Sequence, residues 1–421
     1  MKKISLSIAA ILLKVISLFS QESDSSYVNR KLNVEEINIV SSYYHQDGNN
    51  SAVTGGIGTE KLSDYANSIE LKLYKYNHKN QKNTIGFDLG IDHFTSASSD
   101  NVSPNTGTNA SSSGVDSKDT RIYPTLNWQI ENEKKGTTYG VGTSLSHEFD
   151  YLSFGTNFLF SKKFRDNNSE ISNKVQIYLD RLKLVYPAEL IPVVIDDDDD
   201  DDDRISTTTA ASSGGEDDKS KFPTKSRKTI SNSLSYSHII NRNIQIAIIS
   251  DLVFQKGYLG LPFHRVYFDD SSLAVEKLPN TRIKIPIAVR GSFFIGDKFI
   301  IRSYYRFYYD TWNLKSNTIN IETPIKITPF ISLSPFYRFY QQSNINYFAP
   351  YKSHLASDKY YTSNYDLSKF NSHFMGIDLK IAPPGGILGL PHVNMIEIRY
   401  GYYKRNIGLK AQIISINMKF K

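Results

Sequence analysis

The 421-residue chain has no cysteine, carries a formal net charge of +6 at pH 7, and holds 28 Tyr and 23 Phe against 2 Trp. The missing thiols exclude thiolate catalysis, Cys-ligated zinc, iron–sulfur clusters and covalent haem attachment. Basic residues beside aromatics can bind nucleic acid, but here Lys and Arg alternate with apolar residues instead of clustering on a helix, so no nucleic-acid partner is expected.

Taken in chain order, residues 1–20 read as a secretory signal. Lys2 and Lys3 precede a mostly apolar run from Ile4 to Phe19. Lys14 interrupts the run, and Leu18 is larger than the residue usual three before a cleavage site. A membrane anchor is the competing reading. Residues 21–33 are expected to be a periplasmic N-terminal segment. Beyond Phe19 no stretch reaches the roughly 20 apolar residues that a membrane helix needs. The chain after the signal is therefore either soluble after export or crosses a membrane as strands.

Period-two alternation decides for strands. Ile85, Phe87, Leu89 and Ile91 alternate with Gly86, Asp88, Gly90 and Asp92. The pattern returns in Ile122–Ile130, Leu152–Phe160, Ile283–Val289, Phe299–Tyr309 and Met375–Ile381. About sixteen segments follow it, centred near residues 40, 71, 89, 126, 142, 156, 177, 234, 249, 286, 303, 320, 336, 377, 398 and 414. The first and twelfth are the weakest, and fourteen is the alternative count. The pattern ends in Ile414, Ile416, Met418 and Phe420, which resembles the C-terminal strand by which the barrel-assembly machinery recognises its clients. The expectation is all-β: residues 34–421 form one transmembrane antiparallel up-and-down β-barrel with its outer face in the outer-membrane lipid bilayer.

Connections sort in the same sense. Those after even-numbered strands are short and turn-like, as at His78–Asn83, Glu131–Gly136 and Ile240–Asn243, with Pro383–His392 the one longer case. Long insertions near 45–65, 96–119, 181–228, 256–281 and 342–371 follow odd-numbered strands. A barrel with periplasmic turns and long outward loops sorts its connections in this way. Asp196–Asp218 holds eleven acids against Arg204, and the chain outside it and the first twenty residues carries +13. The stretch 196–220 has too little apolar content to offset the entropy of ordering and is expected to be a solvated insertion. Its carboxylates suit loose cation accumulation better than a specific metal site.

Candidate sites lie on the inner face and in the outward loops. Ser51–Lys61 resembles a phosphate loop but lacks Gly-Lys-Ser/Thr, and Asp47, Asn49 and Ser51 begin like a calcium loop but have Ala52 and Gly58 at its Gly and Glu positions. No catalytic, cofactor or metal residue is assigned. Arg302, Arg306, Arg338 and Arg399 fall on three outward-running strands with Tyr304, Tyr308 and Tyr340. Such a rung either selects anions or is plugged by ion pairs with Glu322, Glu397 and Asp378. At the mouth, the Ser51–Lys61 and Pro262–Phe268 loops are expected to pack together, with Arg265 pairing a carboxylate such as Glu60. His264 and His354 either bridge loops or serve a lipid-modifying barrel enzyme.

Several stretches together resemble a family of uncharacterised bacterial outer-membrane β-barrel proteins, classed as a domain of unknown function. They include Ser51–Lys61, Asp92–Asp100, Lys256–Phe268, Leu278–Arg282, Tyr309–Trp312, Tyr347–His354 and Tyr360–Phe370. The resemblance covers nearly the whole chain after the signal. It implies an outer-membrane location and a barrel, and the genomic setting of relatives, near thioredoxin-like and flavin-attaching proteins, points to periplasmic redox proteins as partners. It implies no activity. The expectation is a channel or a scaffold for such partners, with an enzyme acting on membrane lipids as the alternative.

Overall fold

The computed structural model describes residues 31–96, 118–164, 168–190, 223–387 and 389–420. The signal at 1–20, most of the segment 21–33 and the acidic stretch 196–220 lie outside them. Nineteen strand segments occur: β1 (Asn33–Asp47), β2 (Leu62–Tyr76), β3 (Lys82–Ser96), β4 (Lys118–Asn132), β5 (Thr137–His147), β6 (Tyr151–Lys163) and β7 (Ser169–Lys183). They continue as β8 (Thr224–Asn241), β9 (Ile244–Gly257), β10 (Arg265–Tyr267), β11 (Leu273–Val275), β12 (Thr281–Ile295) and β13 (Phe299–Asp310). Last come β14 (Lys315–Glu322), β15 (Ile325–Lys326), β16 (Ile331–Gln342), β17 (Phe370–Ile381), β18 (Val393–Arg405) and β19 (Lys410–Phe420).

Seventeen of these make one antiparallel sheet, and β10–β11 form a separate hairpin within the loop between β9 and β12. The sheet closes on itself: β19 pairs with β1 from Ile37↔Phe420 to Asp47↔Lys410. Closure leaves no edge whose backbone groups lack partners. The barrel has sixteen staves, because β14 and β15 are one stave interrupted at Thr323–Pro324, and both pair with β16. Pro324 has no N–H to give the ladder, which explains the weak twelfth segment. All sixteen expected centres fall within staves.

The alternation puts apolar side chains on the outside. Ile283, Ile285, Ile287 and Val289 of β12 are exposed, as are Tyr305 and Phe307 of β13 and Met375 and Ile377 of β17. On a soluble protein so large an apolar surface would aggregate; around a closed barrel it is the lipid face. Aromatics and histidines mark its two rims. Tyr43 stacks against His45 and Tyr65 at the long-loop end, and Tyr236 stacks on His238 at the short-turn end. Rings with polar tips suit the headgroup level.

The inner face is filled selectively. Gly376 of β17 and Gly401 of β18 sit where an added Cβ would come within 2.5–2.6 Å of the Phe336 and Phe374 rings. The missing side chains leave room for the two rings, with centroids 5.1 Å apart and planes tilted by 52°, over neighbouring staves. They form an aromatic shelf on the inner wall.

Candidate functional site

At the long-loop end, segments far apart in sequence fold onto one another. Asp310, fully buried at the end of β13, is the hub. Its carboxylate accepts from Arg282 Nε (2.9 Å), Tyr308 Oη (2.7 Å), and the backbone N–H groups of Trp312 (2.9 Å) and Leu314 (3.2 Å). Arg282 also lies 4.2 Å from the Trp312 ring centre. Charge-assisted bonds and the cation–π contact together satisfy a buried ion pair that would otherwise be costly. Trp312, Leu314 and Ile345 then pack with Leu259, Leu278, Tyr347 and Phe348 from the 258–280 and 343–369 loops. The Tyr309–Trp312 and Leu278–Arg282 motifs are thus a clamp that fastens the loops to the inner wall.

A second set of contacts links the loops to each other. Glu276, buried, accepts from the Leu261 N–H (2.9 Å), from the Thr362 hydroxyl, and faces His264 at 3.5 Å. His354 Nε2 reaches the Thr362 carbonyl at 3.0 Å, and its Nδ1 the Asp358 carboxylate at 3.2 Å. Val53 packs against Phe263. Gly55 and Gly56 adopt left-handed φ of 81° and 89°, which lets the backbone approach Tyr267 and the Ser363 carbonyl more closely than any Cβ would allow. The Ser51–Lys61 and Pro262–Phe268 loops do pack together.

Arg265 joins them through a different partner from the expected one. Its Nη1 donates to the Val53 carbonyl at 2.7 Å and its Nε to Glu189 at 2.5 Å. Burial works against ionisation of Glu189, but the Arg265 hydrogen bond, a backbone hydrogen bond and the Arg265 charge together outweigh it and hold the carboxyl below its usual range. Glu60 lies elsewhere. Its backbone is tied to Gly48 and Gln46, and burial together with nearby Asp366 pushes its carboxyl upward despite Arg405. The pairing of Arg265 with Glu60 is therefore replaced by Arg265–Glu189, because the segment following β7 folds over the Arg265 hairpin.

Below this crown lies the lumen. A cavity of about 790 Å³ is lined from six staves, β8, β9, β12, β13, β14 and β16. Its charged lining is Arg290, Arg302, Arg306 and Arg338 against Glu322. A second cavity of about 350 Å³ shares Arg306, Thr318 and Arg338 with it and adds Arg405. Glu322 is already engaged twice, by Arg302 at 2.9 Å and Arg399 at 3.4 Å. Arg399 also stacks 4.0 Å over Phe336. Arg405 pairs with Asp366 at 2.6 Å. Arg290, Arg306 and Arg338 have no carboxylate within ion-pairing distance among the described residues. Of the acids expected to pair with the rung of Arg302, Arg306, Arg338 and Arg399, Glu322 does so, Asp378 faces Arg399 and Ser334 in register, and Glu397 faces Lys380 and Asn417.

Three residues that matter to crown and lumen escaped sequence reasoning. Arg290 was legible, since it shares the inner phase of β12 with Lys284. Glu189 and Glu276 carry no local signal, because their partners come from distant segments; Asp310 lies within the Tyr309–Trp312 motif, but its role as a hub has no signal there. One acidic group, Asp119, Glu148 and Asp150, lies near the 148–150 turn with ligand atoms within 4.8 Å of one another. Arg121 engages Glu148 at 3.4 Å. Burial, against the pull of Arg121 and aided by Asp150 and Asp119, pushes Glu148 up to about 7, and burial and Asp119 push Asp150 up to about 6. The cluster is thus one that holds protons readily.

A family model described as a protein of unknown function (DUF3570) matches residues 92–413. The chain belongs to this family. No curated protein matches it. Among solved structures, it is similar to Pseudomonas aeruginosa OccK9 (OpdG), with 8% identity and a TM-score of 0.42 over 93% of this chain and 98% of that one. It is also similar to a BenF-like porin from Pseudomonas fluorescens Pf-5, with 9% identity and a TM-score of 0.41 over 94% of this chain and 100% of that one. Likenesses this distant add nothing to what the barrel's own geometry says about function.

Proposed function

We propose that this family member is an outer-membrane channel whose outward mouth is narrowed by the packed loops. One observation carries the reading: a closed sixteen-stave barrel, apolar outside, encloses a polar cavity of about 790 Å³ lined from six staves. A wall of this kind has its lipid-facing and lumen-facing residues on opposite phases of each strand, and a barrel of this size leaves room for an aqueous path. The loops are held to the inner wall by apolar packing around Trp312 and by the Arg405–Asp366 pair, as suits a constriction that must hold its shape.

The lipid-enzyme alternative needs a hydroxyl, a histidine and an acid in sequence. Ser–His hydrogen bonds do occur on the wall, at His45–Ser63 (2.9 Å) and Ser169–His238 (2.8 Å). Neither histidine has a carboxylate partner among the described residues. His264 and His354 are buried within loop contacts, which favours a bridging role for both. The expected periplasmic redox partners rest on the family's genomic setting alone.

The test is reconstitution. The protein should fractionate with outer membranes, run anomalously on unheated denaturing gels, and give steady single-channel conductance in planar bilayers. A folded barrel that stays silent in bilayers would overturn the channel reading in favour of a scaffold.

A further inference from the structure

We infer that the lumen holds a binding site for a small oxyanion, a carboxylate or phosphate group, at the junction of its two cavities around Arg306, Thr318 and Arg338, with Arg290 on the side of the larger cavity. The inference rests on the reading of the lumen as a passage. It names the class of solute that the passage recognises.

Register puts the arginines together. Arg290, Tyr304, Asn320 and Arg338 stand in one register row across β12, β13, β14 and β16. Arg306 stands one inward-facing position further along β13, opposite Thr318. Arg306, Thr318 and Arg338 line both cavities, so this group sits where the two meet. Neighbouring strands lie about 4.8 Å apart. Guanidinium groups from β12, β13 and β16 can therefore converge on one bound group.

Charge balance distinguishes these three from the inner-wall arginines that serve as struts. Arg302 and Arg399 share Glu322, Arg282 has Asp310, Arg227 has Asp180 at 2.7 Å, and Arg405 has Asp366. The fold thus neutralises the cations it uses to hold itself together. Arg290, Arg306 and Arg338 have no such partner among the described residues. The strongest contact of Arg338 is a 3.4 Å approach to the Asn320 side-chain oxygen, with the Phe374 ring 5.6 Å from its guanidinium.

Unmet hydrogen bonds point to the same place. Arg306 Nε is inaccessible and without a protein partner, and so is Thr318 Oγ1 directly across the strand pair. Most such groups in folded proteins are satisfied, so two orphaned side by side mark where a ligand belongs. Both can donate once a side-chain shift uncovers them, and together with the Arg338 fork they then match the several acceptor positions of an oxyanion. A metal cation would meet unpaired arginines there, and Glu322, the acid of the larger cavity, is already engaged by Arg302 and Arg399.

The test uses the full-length folded protein with two readouts. In bilayers under a potassium chloride gradient, the wild type should give a reversal potential on the anion-selective side. Arg306→Gln with Arg338→Gln should carry it to the cation-selective side, and Glu322→Gln, which frees Arg302 and Arg399, should move it the other way. Separately, inorganic phosphate and succinate are titrated by calorimetry into detergent-solubilised protein, with heat-modifiable gel migration as the control for folding. At least one should bind, with affinity falling about tenfold or more in Arg306→Gln. Phosphate alone binding assigns the site to phosphate groups, and succinate alone to carboxylates. A silent wild type that still binds in an Arg306-dependent way would sink the channel and keep the site. A conducting wild type that prefers cations, or folded variants whose binding and selectivity match it, would sink the site and keep the channel.

Discussion

The crown and the lumen use the same residue types to opposite ends. In the crown, Asp310, Glu276 and Glu189 each meet a cation or several donors, and the result is a set of fixed struts between distant loops. In the lumen a few steps below, Arg290, Arg306 and Arg338 face a cavity with their charge unmatched. None of the three is buried: Arg290 and Arg338 are exposed to the lumen and Arg306 is half-buried, so water solvates their charge until a solute displaces it. Where a protein leaves such groups facing a cavity, their use lies in what enters it. The contrast teaches that pairing state, and not abundance of arginine, separates structural from functional cations in this barrel.

Breaking the crown should have the largest effect. Asp310→Ala leaves Arg282 buried without its counter-charge and removes the cap from Trp312 and Leu314. The expected loss is about 3–5 kcal/mol, seen as a lower temperature of conversion from the compact to the unfolded gel form. An unchanged conversion temperature would show that the clamp contributes nothing. Arg265→Ala should cost less, about 1.5–3 kcal/mol for its charge-assisted bonds. The barrel should persist while the tie between the Val53 and Glu189 segments is cut, raising single-channel conductance. Unchanged conductance would separate the crown from the constriction. Gly56→Ala forces a left-handed backbone on a residue with a side chain and drives its Cβ toward the Ser363 carbonyl, at a cost of about 1–2 kcal/mol. Hydrogen exchange in 343–369 should quicken.

The smallest effect concerns pH. Glu148 and Asp150 hold their protons more tightly in the folded turn than in an unfolded chain, their carboxyls standing near 7 and 6. The folded turn therefore binds more protons between about pH 4 and 7, and its stability falls as pH rises through that window. Exchange protection of 148–150, corrected for intrinsic rates, should be higher at pH 5 than at pH 8, and Glu148→Gln should flatten the difference. Equal protection at both pH values in the wild type would discount the cluster. By contrast, Arg306→Ala should leave thermal stability within about 0.5 kcal/mol, because it severs no contact. A large loss there would move Arg306 into the class of struts.

Sequence reasoning reached the barrel because its signal is local. Alternation in Ile283–Val289 or Met375–Ile381 needs no knowledge of the rest of the chain: a strand buried against lipid on one face writes that face into every second residue. The same rule placed Arg302, Arg306, Arg338 and Arg399 on the inner side. The twelfth segment reads as weak in its alternation, and Pro324 is the physical reason. Pairing was another matter. The choice of Glu189 over Glu60 as partner of Arg265 depends on how the segment after β7 folds over a hairpin some 76 residues away. The double use of Glu322 depends on β14 lying in reach of both β13 and β18. Sequence alone thus determined which residues face lipid and which face the lumen, through a two-residue period set by backbone geometry. Only the tertiary structure decided which inner charges are cancelled and which remain, because an ion pair is made by register and loop folding between segments that carry no local trace of each other.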